Sequence, residues 1–428
     1  MAVEQKAQRL AREAMGMAME RTTAEPEDTR PVLCPRCQRG MRLVGRRPRE
    51  VVGVVGEWTV VRRYWHCAPC GLGLSPWDET LGLGVGRLSP RLQRAICREA
   101  VDLPFSGAAE NVWDLLGVEV DAEEVRRVSE GIGQVAESEE KARVAAIVEG
   151  RALEPGKALA DTLLVEADGC MENVDGAWHE VKAGLVAPLS EQLEMDERSG
   201  RLRRRALGAH YVAGVREAPE AFFARLYAKA AELGLGGREV RQVVVVADGA
   251  PWIWQGARDY LAPSEVKVVE IVDIYHARQH LWEVANAVFG KDTAEAKTWA
   301  TRQSERLADV GAAPVLRALR RLEPTTAEGR EAARLGIGYF TERQDRMRYP
   351  QYVRAHLPIG SGAIESACKV LVQARQKQAG MRWRRRGSQA IATLRARQRS
   401  GEWEALWAAE PHRRRPKVRH ADQVRAAA

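Results

Sequence analysis

No apolar run in this 428-residue chain approaches the length that crosses a bilayer, which takes about 20 residues as a helix. The strongest candidate, Val243 to Val246 with its flanks, is stopped at once by Asp248. An uninterrupted apolar leader is missing too. The opening MAVEQKAQRLAREAM alternates charged and apolar residues at helical spacing, so a cytoplasmic location is expected. Internal repeats are absent, as is any large excess of one charge. With 66 basic against 58 acidic residues the formal charge is +8, so the placement of the basic residues matters more than their sum. What remains is a globular composition, 45% apolar and 29% charged. A chain of this length has room for two to four domains and needs no disulfide to hold a core.

Seven cysteines in a cytosolic chain point to metal before disulfides. Four of them form two pairs, Cys34-Pro-Arg-Cys37 and Cys67-Ala-Pro-Cys70, with 29 residues between the pairs. A two-residue gap lets one tight turn present both sulfurs to a single tetrahedral Zn²⁺. Two such turns on neighbouring hairpins make a closed four-sulfur site with no open position, which is structural in kind. Between the pairs, VVGVVGEWTVVRRYWHC reads as two short strands broken at Gly56. Arg36, Arg39, Arg42, Arg46 and Arg47 surround the unit and suggest contact with DNA. Cys97, Cys170 and Cys368 are scattered and read as ordinary buried thiols.

Helical texture follows. LSPRLQRAICREAVD opens on a Ser-Pro start signal, FSGAAENVWDLLG stops at Gly117, and DAEEVRRVSEGIGQVAES takes Asp121 as its N-cap. The last two have the layout of a helix-turn-helix, which many helical hairpins share. Beyond Arg151 the pattern turns to mixed α/β. DTLLVEADG, HEVKAGLVAPL, LGAHYVAGV, RQVVVVADG and VKVVEIVD are strand candidates, and PEAFFARLYAKAAELG and HARQHLWEVANAVFG are helix candidates. GSGAIESACKVLVQARQ is a helix opened by a glycine-rich turn.

Three carboxylates stand out. Asp168 and Asp248 each end an apolar strand and precede glycine, while Glu365 lies early in the helix after Gly360-Ser361-Gly362. Alone, an Asp-Gly after a strand is usually a turn, and a Glu in a first helical turn usually answers the helix dipole. Glu166, on the same strand face as Asp168, is a rival that spacing does not exclude.

The order ADG, VVVVADGA, DIYHARQHLW and GSGAIES resembles the DDE transposases of bacterial insertion sequences. With the paired cysteines and the late MRWRRRG segment it looks most like the ISKra-type family, distantly related to the Mutator and hAT superfamilies. The resemblance runs from about Cys34 to Trp407. It implies an α/β, RNase H-like mixed sheet flanked by helices, with an all-α insertion, an N-terminal zinc ribbon and a helical domain, and a nucleoid-associated bacterial enzyme. Asp168, Asp248 and Glu365 would be the catalytic triad, holding two Mg²⁺ or Mn²⁺ ions about 4 Å apart. Asp273-Ile-Tyr-His276 matches the (C/D)xxH signature of those superfamilies, which gives Asp273 and His276 a supporting, DNA-positioning or merely structural part. The implied division is 1–30 helix and linker, 31–86 zinc ribbon, 87–150 helical DNA-binding candidate, 151–290 first part of the core, 291–340 helical insertion, 341–405 last part of the core, and 406–428 basic flexible tail. The 116 residues between Asp248 and Glu365 hold that insertion.

From Lys369 to Ser400 there are ten basic residues and no acidic one. Lys369, Arg375, Lys377, Arg382, Arg384, Arg385 and Arg386 are expected to meet phosphates, and Trp383 an unpaired base. The expected function is metal-dependent cleavage and strand transfer of double-stranded DNA at element ends, by at least a dimer. The alternative is a non-catalytic zinc-ribbon DNA-binding protein derived from a transposase. A glycosidase-like use of two carboxylates would explain neither the cysteine pairs nor the acid-free basic run.

Overall fold

The computed structural model describes residues 2–24, 31–80, 83, 86–148, 155–196, 200–263, 265–409 and 419–420. The chain forms two compact units, Met1–Ala136 with Glu402–Ala428, and Glu137–Gly401. In the first, helix α1 (Ala2–Ala24) precedes strand β1 (Val32–Leu33) and a three-stranded antiparallel sheet of β2 (Arg42–Gly53), β3 (Gly56–Cys67) and β4 (Leu72–Leu74). The two strands expected around Gly56 are longer than their apolar part, because the arginine-rich stretch from Arg42 pairs residue by residue with β3. Helix α2 (Pro76–Thr80) supplies Asp78, which accepts from the buried Arg62 guanidinium of β3 at 2.8 Å.

Helices α3 (Pro90–Ala100), α4 (Phe105–Leu116) and α5 (Ala122–Val148) follow. Their ends are those the sequence marked. Ser89 Oγ accepts from Leu92 N, Gly117 closes α4 in the left-handed conformation, and Asp121 Oδ1 accepts from Glu124 N at 2.6 Å.

The second unit is built on a six-stranded mixed sheet of β5 (Thr162–Val174), β6 (Ala177–Asp196), β7 (Arg201–Ala206), β8 (His210–Val215), β9 (Gln242–Ala247) and β10 (Lys267–Val272). Their order across the sheet is β10-β9-β5-β6, with β7 and β8 both pairing β6. β5, β9 and β10 run parallel, while β5–β6, β6–β7 and β6–β8 are antiparallel. The β5–β6 turn is Asp175-Gly176, both at positive φ, as a two-residue hairpin of right-handed twist requires. β9 is buried almost throughout, the pattern of a parallel strand covered on both faces. Gly184 of β6 lets α6 (Pro219–Glu232) sit close, since a Cβ there would fall 2.8 Å from Leu226.

On one face Phe222, Phe223 and Leu226 of α6, Ile253 and Trp254 of α7 (Pro251–Tyr260) and Ile274 and Leu281 of α8 (Ile274–Phe289) enter the main core. Helices α9 (Ala294–Val310), α10 (Ala312–Leu319) and α11 (Ala327–Arg343) occupy the stretch expected to be helical. The helical region runs further than residue 340, through α12 (Tyr349–Arg354). The opposite face packs on α13 (Gly362–Ala367) and the helical turns after it. Over Cys368–Gln373 that helix widens to π-type turns before α14 (Ala374–Gln376). Arg395 of α15 (Arg385–Arg399) donates to the carbonyls of Val370 and Leu371 in the widened stretch.

Helix α16 (Trp403–Ala409) belongs to the first unit, where Glu404 pairs with Arg94. The division expected at residue 405 therefore falls earlier, and the first residues assigned to a flexible tail are helical, with Leu406 and Trp407 buried. A two-residue strand β11 (Arg419–His420) pairs with β1. The rest of the tail and most of the linker lie outside the described residues.

Glu172 of β5 is fully buried against α15 with one hydrogen bond, accepted from Ser388 Oγ at 3.0 Å. Burial pushes its carboxyl up to about 7. A folded-state value above the unfolded one means that the folded chain loses stability as pH rises between the two. Glu172→Gln is therefore expected to stabilise the protein by roughly 1–3 kcal/mol at pH 8, with the gain vanishing near pH 4, below the unfolded value. Urea unfolding at the two pH values measures this, and an equal effect at both would contradict it.

Candidate metal centre and acidic site

The cysteine pairs sit on two tight turns of the first unit. After β1, Gln38 N returns to Cys34 O at 2.8 Å with Gln38 at positive φ, and Cys34 N donates to Arg39 O. After β3, Gly71 adopts positive φ as the chain reverses into β4. These turns bring the sulfurs of Cys34, Cys37, Cys67 and Cys70 within 4.8 Å of one another, with Cys37 and Cys67 3.6 Å apart. Burial raises the Cys34 thiol, but the amides of Cys37 and Arg36 outweigh it and hold the group at about 7. The sulfur of Cys37, then burial, drives Cys70 up to about 12. Crowded sulfurs cannot all ionise together unless a cation sits among them. A four-thiolate set of this size fits a tetrahedral soft ion. Arg36, Arg39, Arg42, Arg46 and Arg47 are all exposed around it.

The acidic site lies in the second unit, where the pairing of β5 with β9 decides the geometry. Thr162 faces Gln242 and Glu166 faces Val246, the last pair of the ladder, and each strand reaches its Asp two residues further on; the charge of Asp248 is felt at Asp168. Asp248 follows β9 as expected, and its Oδ1 accepts from Ala250 N at 2.9 Å. Asp168 does not end its strand. β5 continues to Val174 because its antiparallel pairing with β6 persists after β9 has stopped. Asp168 is thus a strand residue at the point where one neighbour leaves.

Glu365 is exposed in α13, and Cys368, three residues on, donates from Sγ to Asp168 Oδ2 at 3.8 Å. That contact brings the Glu365 helix against the strand carrying Asp168. Burial raises the Asp168 carboxyl, and the charges of Asp248 and Glu365 raise it further. The three acids share one electrostatic neighbourhood, although no choice of oxygens puts all three within 4.8 Å of one another as the sulfurs are.

Glu166 is buried beneath this surface. Its Oε2 accepts from Ile364 N at 2.8 Å, so it anchors the start of α13. Burial, then the charges of Asp273 and Glu365, push it up to about 8. Asp273 is also buried. Its Oδ1 caps α8 at Tyr275 N (2.7 Å), while its Oδ2 accepts from the amide (3.2 Å) and hydroxyl of Ser361. Gly360 must lack a side chain, because a Cβ would meet the Tyr275 ring at 2.8 Å. Asp273 and Glu166 therefore fix the Gly360-Ser361-Gly362 turn that presents Glu365.

His276 stands edge-on to His280 at 4.9 Å, and His280 lies 4.0 Å from the ring of Tyr339. Tyr339 donates to Asp248 O at 3.4 Å, and Arg343 donates to Gly249 O at 3.4 Å. Helix α11 of the insertion thus grips the Asp248 turn. Nothing in the local pattern of α11 signalled this, since the pairing spans more than 90 residues.

The basic segment divides into two sets. Lys369, Lys377, Arg382, Arg384, Arg385 and Arg386 are exposed. Arg375 and Trp383 are not on the surface, contrary to the expected roles. Trp383 pairs by its backbone with Asn173 and donates Nε1 to Gln376 O at 3.1 Å, and the Arg375 guanidinium lies 5.0 Å from its ring. The indole closes the end of β5 and is not presented to a base. Cys170 and Cys368 are buried as expected, but together and next to Asp168.

The chain matches no protein-family model and no curated protein.

The purified chain is expected to carry about one equivalent of a thiophilic divalent ion, measured by elemental mass spectrometry. Cys67→Ser should lose most of it and loosen the β2–β3 hairpin to proteolysis. Stoichiometric metal retained in that variant would reject the four-sulfur assignment.

Proposed function

We propose that this chain is a DDE transposase with an RNase H-like core, which cleaves double-stranded DNA at element ends and joins the freed 3′-hydroxyl to target DNA. The observation that carries the proposal is the parallel β5–β9 register, whose last pair Glu166–Val246 lies two residues before Asp168 and Asp248, with the helix of Glu365 packed on Asp168 through Cys368. Carboxylates crowded at one place, with burial and mutual repulsion opposing ionisation of Asp168, suit hard divalent cations. Asp168, Asp248 and Glu365 would hold two Mg²⁺ or Mn²⁺ ions, which supply Lewis-acid stabilisation of the attacking and leaving oxygens. The protein's own contribution is positioning. Glu166 and Asp273 seat the turn before Glu365, and Tyr339 and Arg343 seat the turn that holds Asp248.

Exposed Lys369, Lys377, Arg382, Arg384, Arg385 and Arg386 supply cations for phosphates near the helix of Glu365. A Zn²⁺ ion on Cys34, Cys37, Cys67 and Cys70 would fold the N-terminal hairpin and fix its arginine-rich face toward DNA. No described helix is long and apolar enough to cross a membrane, and we place the protein in the bacterial cytoplasm, acting as a dimer or larger on paired DNA ends.

With DNA carrying the element's terminal repeats, Mn²⁺ should support nicking. Asp168→Asn, Asp248→Asn and Glu365→Gln should each lower it by at least about 100-fold while affinity for the DNA stays within about twofold. Nicking that survives all three substitutions would overturn the triad. Binding without nicking by the unsubstituted protein would favour a non-catalytic DNA-binding protein of the same origin.

A further inference from the structure

Beside the acidic site, a cleft of about 740 Å³ opens between the β6–β7 hairpin and the start of α8. That volume lies in the range of pockets for drug-sized molecules, about 300–1,000 Å³, and a nucleotide is of that size. Its floor includes Gly360 and Gly362, the two glycines around the serine that Asp273 holds. A ligand there would lie next to the turn that presents Glu365.

The lining combines two chemistries. Tyr275 is 60% exposed, yet its ring rests on Gly360, where no side chain could stand between them. An exposed aromatic ring on a cleft wall offers a stacking surface. Met195, Leu202 and Leu357 extend the apolar wall. Arg278 lies one turn further along α8, its guanidinium 5.9 Å from the Tyr275 ring. Its Nε is buried and has no hydrogen-bond partner among the described residues. A desolvated N–H without an acceptor is costly, and the guanidinium as a whole lines the cleft, where its other N–H groups can meet an oxyanion. Arg201 adds an exposed cation, and Asp196, the one acid among the described lining residues, is engaged by Arg203 at 2.8 Å.

We propose that this cleft binds one or two unpaired nucleotides of a DNA strand, the base stacking on Tyr275 and the phosphate accepting from Arg278. The assignment deepens the DNA-processing function proposed above and rests on it for the polymer, whereas stacking and phosphate recognition follow from the cleft itself. Its consequence is that a strand led past Glu365 would be splayed rather than paired, with the unpaired base held out of the way of the reacting phosphate.

The test uses the full chain and a fluorescein-labelled single-stranded oligonucleotide carrying 2-aminopurine, without Mg²⁺ or Mn²⁺. Tyr275→Ala should weaken binding roughly tenfold and remove the 2-aminopurine quenching, while Tyr275→Phe keeps both. Arg278→Ala should weaken binding and reduce the slope of log affinity against log salt by about one. Wild-type affinity, quenching and salt dependence in both alanine variants would overturn the assignment. Tyr275- and Arg278-dependent binding by a protein that never nicks DNA would leave this site standing and remove the transposase function. Nicking indifferent to both substitutions would do the reverse.

Discussion

Acids gathered in one partly buried place repel each other, and that repulsion must be opposed by contacts that are not themselves ionic. Here the opposing force is a set of hydrogen bonds to one turn. Glu166 takes the amide of Ile364, Asp273 takes the amide and hydroxyl of Ser361, and Ile274 N donates to Ile359 O. Glu365 is presented where it is because the turn before its helix is tied at Ile359, Ser361 and Ile364. The two acids that achieve this are buried, and their carboxylates are taken up by the backbone of the turn.

The same logic extends outward from Asp248. Gly249 adopts a φ of +110°, and a Cβ there would lie 2.8 Å from Arg343. The insertion helix α11 therefore comes close to the turn, with Tyr339 and Arg343 donating to its two carbonyls. What looks along the chain like a spacer between Asp248 and Glu365 is in the fold part of the wall that fixes Asp248. On the far side of the sheet, Arg395 plays a comparable part, filling carbonyls of the widened helix that follows Glu365.

Local chemistry foretold much of this. Ser89, Asp121 and Gly117 mark helix ends by capping rules that need only neighbours in sequence. The β-branched run before Asp248 announced a buried strand, and the Cys-x-x-Cys pairs announced turns that converge. Arg375 and Trp383 depart from the expected DNA contacts because a run of cations free of acids does not reveal which of its side chains turn inward. Trp383 gains more by closing the end of β5, with its indole N–H satisfied by Gln376, than by facing water. The strand end assumed at Asp168-Gly169 was likewise a turn signal overruled by twelve paired positions with β6.

The sequence by itself determined the kinds of element, the ends of most helices, the four sulfur ligands and the three acids worth weighing, since these depend on periodicity, caps and spacing over a few residues. Tertiary structure alone decided that Glu166 is buried against the start of α13 while Asp168, on the same strand face, stays only partly buried. It also decided that α11 guards Asp248 and that Tyr275 borders a cleft, for both depend on register and packing between segments tens of residues apart, which no local pattern encodes.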